Sequence, residues 1–157
     1  MTYRIRIPHF LAWVFGVTIA LAIVNEAANR AFQVDFGAAA SSIVPLTCGA
    51  WVEGQTFTQT EGRVCSPQEA WRFSFQLTSL YFALLVIISG AVVMFFYGMF
   101  SALWHAPLAF VTIAGGLLAS FLVSLIAAGL VFRQGAKNQY KSLVLNGKLQ
   151  PVEDVFR

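Results

Sequence analysis

The chain has 157 residues, of which 58% are hydrophobic and only 11% are charged. An ordinary soluble domain is about 45–50% apolar and about 25% charged, so this chain has too few charges to cover a water-facing surface. The composition therefore excludes a soluble globular domain. The net charge of +3 comes without an interleaved basic and aromatic patch, so nucleic acid is not an expected partner.

The first predicted element is a membrane span over residues 7–30. The stretch 7–25 carries no formal charge and follows Arg4 and Arg6. This stretch is longer than the apolar core of a secretory signal, which has about 7–15 residues, and residues 27–29 form a poor cleavage site. We therefore interpret it as an uncleaved anchor.

The next segment, residues 36–61, decides how often the chain crosses the membrane. Its first 17 residues are uncharged and would reach about 25 Å as a helix, which is the short limit for a span. The segment is only moderately apolar and contains Pro45, so a re-entrant or interfacial helix is the alternative. Gly62 predicts the end of this helix, because glycine readily adopts the left-handed conformation found there.

The start of the third span carries a helix-cap signal. Ser66 precedes Pro67, and Glu69 follows three residues after the serine. This is the spacing of a capping box, in which serine and glutamate bond each other's backbone amides, and proline favours the first helical position. We predict that Ser66 and Glu69 cap this helix.

The last two spans are predicted from a run of 60 residues without charges between Phe73 and Phe132. A single helix of that length would measure roughly 90 Å, about three times the hydrocarbon thickness, so the run must fold back. Pro107 fits the start of a helix, which predicts spans over 67–100 and 107–132 with a bend between them.

The distribution of lysine and arginine tests the number of spans, because these residues are concentrated on the cytoplasmic side. Four spans with a cytoplasmic N-terminus place nine basic residues inside and one, Arg30, outside. Three spans place two inside and eight outside when the N-terminus is cytoplasmic, and the reverse when it is not. The charge distribution thus rejects three spans with a cytoplasmic N-terminus and leaves four spans or three spans with the N-terminus outside. We prefer four spans because Arg4 and Arg6 directly precede the first.

These elements predict an all-α integral membrane four-helix bundle over residues 1–132 and a basic cytoplasmic tail over 133–157. The alternative is three spans plus a re-entrant or interfacial helix. Both termini are expected in the cytoplasm, and the predicted location is the inner membrane of a bacterial cell, with the lipid bilayer as the surrounding partner.

Glu53 is the strongest candidate for chemistry, because an ionisable residue within a membrane span is costly and often functional. With Gln55, Arg63 and Arg72 it forms a candidate intramembrane polar site, in which Glu53 would take up a proton or a cation. The alternative places Glu53 at the headgroup boundary, or in a pair with Arg63 or Arg72.

Small side chains recur every four residues along the fourth span. They are Thr112, Gly116, Ser120, Ser124 and Ala128. Small residues on one helix face let backbones approach closely in lipid, so this stripe predicts helix packing, either within the bundle or against another protein. Ser41, Pro45 and Gly49 of the second segment are expected to face it.

No catalytic or phosphate-binding motif is present. Cys48 and Cys65 have no histidine nearby, so we expect no metal site and no cofactor, and in a reducing cytoplasm the two cysteines are expected to stay unpaired. His9 and His105 have no partner at useful spacing, and we interpret both as interfacial residues. The sequence therefore predicts no enzymatic activity.

Residues 41–75 carry a set of motifs that resembles one family. An Ile-x-Pro step is followed by Gly-x-x-Phe, then Gly-Arg, then Pro and Glu before the third span; the residues are Ile43 and Pro45, Gly54 and Phe57, Gly62 and Arg63, and Pro67 and Glu69. The pattern resembles the ABZJ type of small uncharacterised bacterial membrane proteins and covers about a quarter of the chain. The resemblance implies four membrane passes and no activity.

The expected function is that of a non-catalytic accessory or interaction protein, which packs as a homo-oligomer or against another membrane protein. The small-residue stripe and the lack of catalytic motifs favour it. The first alternative is a small transporter or channel component that uses Glu53. The second is an immunity protein against a membrane-targeting toxin, by analogy of fold only.

Overall fold

The computed structural model describes Tyr3 and residues 5–33, 37–95 and 107–149, without the side chains of 37–42, 92–95 and 107–114. This part of the chain is all-α, which confirms the predicted fold class. It forms four helices: α1 (Ile7–Phe32), α2 (Gly37–Glu61), α3 (Pro67–Phe95) and α4 (Pro107–Leu145). The bend predicted after residue 100 lies outside the described residues.

Local sequence signals set the helix ends. Pro8 lies in the first turn of α1, where a proline removes no helical hydrogen bond. Gly62 has a φ of +68°, and its N–H donates to the carbonyl oxygen of Thr58 where α2 ends. At the start of α3, the Ser66 N–H donates to Glu69 Oε2 over 2.9 Å, and the Glu69 N–H donates to Ser66 Oγ over 3.3 Å. These are the two reciprocal bonds of a capping box.

The helices pack in the order α1, α2, α4, α3. Helices α2 and α4 run parallel and make the most extensive contact, while α1 packs antiparallel against α2 and α3 packs antiparallel against α4. The starts of α1 and α3 therefore lie at the same end of the bundle as the ends of α2 and α4. We call this the packed end (residues 3–14, 46–81 and 124–149) and the opposite end the splayed end (residues 86–91 and 115–120).

Two glycines let the central helices α2 and α4 approach backbone to backbone. A Cβ added to Gly54 would overlap the carbonyl oxygen of Phe132, and one added to Gly135 would lie 2.5 Å from a carbonyl oxygen of α2. Across the same contact, the Thr58 hydroxyl donates to the carbonyl oxygen of Ala136 over 3.1 Å. Such close contact stabilises helix pairs in lipid, where the hydrophobic effect does not draw helices together.

An aromatic cluster joins the N-terminal segment to α2, α3 and α4 at the packed end. Its rings come from the N-terminal segment, α2, α3 and α4; they are Tyr3, Phe57, Phe73 and Phe132. Tyr3 stands edge-on to Phe57 and Phe73, with ring centroids 5.3 and 5.7 Å apart, and Phe73 stacks on Phe132 at 5.5 Å. Phe57 and Phe132 are fully buried, so this cluster forms part of the core of the packed end.

Three of the described helices are long and apolar enough to cross a membrane: α1, the part of α3 over Pro67–Ala91 and the part of α4 over Gly115–Leu145. Helix α2 has 25 residues and is the least apolar of the four. Because α1 and α4 flank it, the side chains of Glu53 and Thr58 face protein and not lipid. Its lower hydropathy therefore fits a helix in the interior of the bundle.

The fourth helix is longer than the predicted span. It continues thirteen residues beyond the predicted end at Phe132. Ala136 and Tyr140 extend its buried face, because they pack at the packed end and are 0% and 1% exposed. The first part of the predicted tail over 133–157 is therefore a packed helix, and its last eight residues lie outside the described part of the chain.

The opposite end of the bundle is splayed. All of residues 86–91 of α3 and all of residues 115–120 of α4 are exposed. A Cβ added to Gly90, Gly115 or Gly116 would meet nothing within 4 Å. The contacts that hold the described helices together are therefore concentrated at the packed end.

Candidate functional site

A buried carboxylate lies at the packed end. The side chain of Glu53 in α2 is 0% exposed. Its Oε2 accepts a hydrogen bond from the Tyr3 hydroxyl over 2.6 Å, and its Oε1 lies 3.1 Å from His9 Nδ1. Tyr3 and His9 are 50 and 44 residues away along the chain, so the site forms only when the N-terminal segment and α1 pack on α2.

Antiparallel packing of α1 on α2 explains why these groups meet. Gly49 makes room for α1, since a Cβ there would come within 2.6 Å of the Phe10 ring and 3.3 Å of Val14 Cγ2. His9 directly precedes Phe10 and therefore lies beside the next turn of α2. Glu53 follows Gly49 by four residues and occupies that turn, so its side chain faces the start of α1.

The surroundings of Glu53 supply hydrogen-bond donors to a carboxylate that water cannot reach. A buried carboxylate is costly unless such donors surround it, and the Tyr3 hydroxyl donates to it here. His9 Nδ1 is a second donor in the tautomer that carries its hydrogen on that nitrogen. Burial and the hydrogen bond to Glu53 raise the pKa of the Tyr3 hydroxyl far above its ordinary range, so Tyr3 stays a donor. Because the His9 side chain is 43% exposed, it connects the buried carboxylate to the bundle surface.

A groove of about 940 Å³ opens beside this site. We call it the α1–α3 groove, because it lies between the N-terminal segment with the start of α1 and the first turns of α3. Its apolar lining includes Tyr3, Ile5, Ile7, Phe73, Leu77 and Leu80. The ring of Tyr3 lines the groove while its hydroxyl bonds Glu53, so Tyr3 stands between the groove and the carboxylate.

Charged residues lie at the start of α3, at one end of the groove. Arg63 donates from both terminal nitrogens to the carboxylate oxygens of Glu69, over 2.9 and 2.7 Å, and its guanidinium lies 5.2 Å from the centroid of the Phe57 ring. The hydrogen bonds to Glu69 raise the pKa of Arg63. Arg72 is exposed, lines the groove, and makes no hydrogen bond or ion pair with the described residues. The guanidinium of Arg63 is therefore occupied by Glu69, whereas that of Arg72 is available to bind a ligand in the groove.

The four residues of the predicted polar site do not meet. Glu53 is buried against α1, whereas Arg63 is engaged by Glu69. Arg72 lines the groove, and Gln55 is partly buried on α2. The alternative pairing of Glu53 with Arg63 or Arg72 is therefore wrong, because α2 turns Glu53 toward α1 while both arginines lie beyond the end of α2.

The small-residue stripe predicted on α4 is divided between the two ends of the bundle. Ser124 and Ala128 are buried, with 3% and 0% exposure. Gly116 and Ser120 are exposed at the splayed end, and the side chain of Thr112 lies outside the described part. Of the described stripe residues, Ser124 and Ala128 therefore pack within this chain, whereas Gly116 and Ser120 do not.

The close contact between α2 and α4 is made by other small residues. Gly54 of α2 and Gly135 of α4 bring the two backbones together, and Gly135 lies about two turns beyond the last residue of the predicted stripe, Ala128. Gly49 does not face α4 as expected but contacts α1. Pro45 is buried, and the side chain of Ser41 lies outside the described residues.

Tyr3 and His9 are the two site residues that the sequence interpretation missed. The expectation that His9 has no partner is wrong, because its ring lies 3.1 Å from Glu53 Oε1. One signal in the sequence could have found them. A carboxylate within a membrane needs hydrogen-bond donors, and Tyr3 and His9, two residues that can donate, flank the start of the first span. His105 lies outside the described residues.

The fold and the site define a helical membrane protein with a buried carboxylate and an adjoining groove at one end of its bundle. Comparisons of the chain with protein-family models, with curated proteins and with solved structures found no match. Its function therefore has to be inferred from the arrangement of its own residues.

Proposed function

We propose that this protein is a non-catalytic membrane interaction protein, which packs through its splayed end against a second copy of itself or another membrane protein. The observation that carries the proposal is the exposure of two helices at that end. All of residues 86–91 of α3 and 115–120 of α4 are exposed, although both helices pack closely at the packed end. A partner helix would cover these turns.

The glycines of the splayed end support the proposal. Gly54 and Gly135 are required within the chain, because a side chain at either would strike the backbone of the neighbouring helix. Gly90 and Gly116 have no such neighbour within 4 Å, and Gly116 lies on the same face of α4 as Ser120. In lipid, small residues on a helix surface let another backbone approach closely, so these positions suit contact with another helix.

Disulfide crosslinking in the membrane tests this function. In a variant with Cys48→Ala and Cys65→Ala, we expect Ser120→Cys to crosslink efficiently to a second copy or to a partner protein. The control is Leu118→Cys, which is exposed at nearly the same depth but lies about 200° away around α4. Equal crosslinking at the two positions, or none at Ser120→Cys, contradicts the proposal.

We also propose that all four helices cross the inner membrane and that the packed end faces the cytoplasm. Helix α2 runs parallel to α4 beside it, and the resemblance to ABZJ-type proteins implies the same four passes. Of the described basic residues, only Arg30 belongs to the other end of the bundle. Those of the packed end, which the positive-inside rule favours in the cytoplasm, are Arg6, Arg63, Arg72, Arg133, Lys137, Lys141 and Lys148.

Thiol labelling checks this orientation. Cys65 is a poor reporter because it is only 3% exposed and burial raises its pKa to about 11, so little reactive thiolate forms at neutral pH. Gln68 is exposed in the first turn of α3. In a Cys48→Ala background, we expect Gln68→Cys to react with an impermeant reagent only after cells are opened, and at least about tenfold faster than Cys65. Labelling of Gln68→Cys in intact cells contradicts a cytoplasmic packed end.

A second candidate function is a small transporter or channel component that uses Glu53. The full burial of the carboxylate and its contact with the partly exposed His9 favour it, since chains of carboxylates and histidines carry protons through membrane proteins. The decisive variant is Glu53→Gln, which cannot ionise. The immunity-protein alternative rests on fold analogy only.

A further inference from the structure

We propose that the α1–α3 groove binds one anionic glycerophospholipid, with its phosphate group at Arg72 and an acyl chain along Phe73, Leu77 and Leu80. The groove lies at the packed end, whereas the proposed protein–protein contact uses the splayed end. The two proposals therefore rest on different residues and stand or fall separately.

The charges at the start of α3 favour an anionic headgroup. Arg63 and Glu69 neutralise each other in a two-bonded pair, so the guanidinium of Arg72 adds an uncompensated positive charge to the groove. An arginine fork suits a phosphate, because its planar N–H groups match two phosphate oxygens.

The apolar part of the groove favours a hydrocarbon chain. Arg72, Phe73, Leu77 and Leu80 recur at helical spacing, so they lie along one broad face of α3. From Arg72 to Leu80 this face is about 12 Å long and changes from charged to apolar along its length. The opposite wall carries further apolar side chains, those of Ile5 and Ile7. A volume of about 940 Å³ accommodates a headgroup and part of one chain.

A lipid matches this groove better than the other occupants. A soluble phosphate would bind Arg72 but leave the apolar walls uncovered. An apolar helix of another protein would cover the walls but leave the Arg72 guanidinium without a partner in a low-dielectric setting, which is unfavourable. A zwitterionic lipid carries an ammonium group that offsets its phosphate, so an anionic lipid gains more from the unpaired arginine.

Lipid retention by the purified full-length protein tests the proposal. Native mass spectrometry is used to titrate the detergent-solubilised protein with phosphatidylglycerol and with phosphatidylcholine of the same acyl chains. We expect one phosphatidylglycerol to bind preferentially per chain. Arg72→Gln should weaken its binding about fivefold and leave phosphatidylcholine binding unchanged.

Arg133→Gln is the matched control, since Arg133 is exposed at the packed end but does not line the groove. It makes the same change of charge and should leave phosphatidylglycerol binding unchanged. Equal weakening by the two variants would indicate general attraction to a basic surface and overturns the proposal, as does equal retention of the two lipids by the unmodified protein.

Two further experiments distinguish a bound lipid from a soluble phosphate and from a protein in the groove. Glycerol phosphate carries the headgroup chemistry without the chains, and we expect it not to displace phosphatidylglycerol; efficient displacement overturns the assignment to a lipid. Gln76 is exposed and lines the groove, so Gln76→Cys reports on a protein in that place. A protein crosslinked there in membranes, with no phosphatidylglycerol retained, also overturns it.

Discussion

Replacing Gly54 by alanine is expected to disrupt the packed end of the bundle. The added Cβ would overlap the carbonyl oxygen of Phe132 and lie 3.2 Å from the amide nitrogen of Ala136. Both atoms belong to the backbone of α4, so neither can move unless the helix moves. We expect a loss of about 3 kcal/mol of stability. In the detergent-solubilised protein this should lower the midpoint of thermal unfolding by roughly 10 °C.

Two other glycines provide the comparison for Gly54→Ala. Gly135→Ala should have a similar effect, because its Cβ would lie 2.5 Å from the carbonyl oxygen of Trp51. Gly16→Ala should change the midpoint little, since a Cβ at Gly16 meets nothing within 4 Å. If Gly54→Ala is tolerated as well as Gly16→Ala, α2 and α4 do not cross at this point.

Replacing Glu53 by alanine is expected to release the N-terminal segment from the bundle. The substitution removes the acceptor for the buried Tyr3 hydroxyl and the partner of His9, and it leaves a cavity against α1. We expect a loss of about 3 kcal/mol, because a buried donor would lose its bond and buried volume would be emptied. Limited trypsin digestion measures the release directly, since cleavage after the exposed Arg6 should become faster.

The amide variant separates the shape of the Glu53 side chain from its charge. In Glu53→Gln the amide oxygen still accepts from Tyr3, and the amide nitrogen can donate to a neutral His9, so we expect a loss of less than about 1 kcal/mol. Tyr3→Phe removes the donor and should cost about 2 kcal/mol. Similar losses for Glu53→Ala and Glu53→Gln would contradict the hydrogen-bonding pattern.

The same amide variant decides the second candidate function. If Glu53 carries protons, proton flux into liposomes that contain the protein should fall steeply in Glu53→Gln, while Glu61→Gln, at the end of α2, should retain it. Unchanged flux in Glu53→Gln removes the transporter or channel interpretation. Because this variant is expected to stay folded, a loss of flux cannot be ascribed to unfolding.

The helices themselves could be predicted because the signals that form them are local. A long uncharged stretch, the glycine at position 62 and the pair Ser66 and Glu69 each act within a few residues, and the observed ends of α2 and the start of α3 follow them. The span predicted over 107–132 is continued by the same helix to Leu145, since the first charge after an apolar run does not end a helix whose other face stays buried.

The candidate site could be predicted only in part. Glu53 stands out in the sequence because a carboxylate within an apolar segment is expensive in lipid. Its partners could not be assigned, because Tyr3 and His9 meet it through contacts across 50 and 44 residues. The groove at Arg72 could not be predicted either, because it depends on the position of the N-terminal segment relative to α3. No short-range sequence signal predicts that position.

By itself, the sequence determined that this chain forms apolar helices suited to a membrane, and where most of them begin and end, because hydropathy and helix caps act over short distances. The tertiary structure decided which faces meet. It placed α2, the least apolar helix, between α1 and α4, brought Gly54 and Gly135 into backbone contact, and left Gly116 and Ser120 exposed. Periodicity shows that a helix has a small or polar face but not which neighbour that face contacts, since the choice depends on the packing of all four helices together.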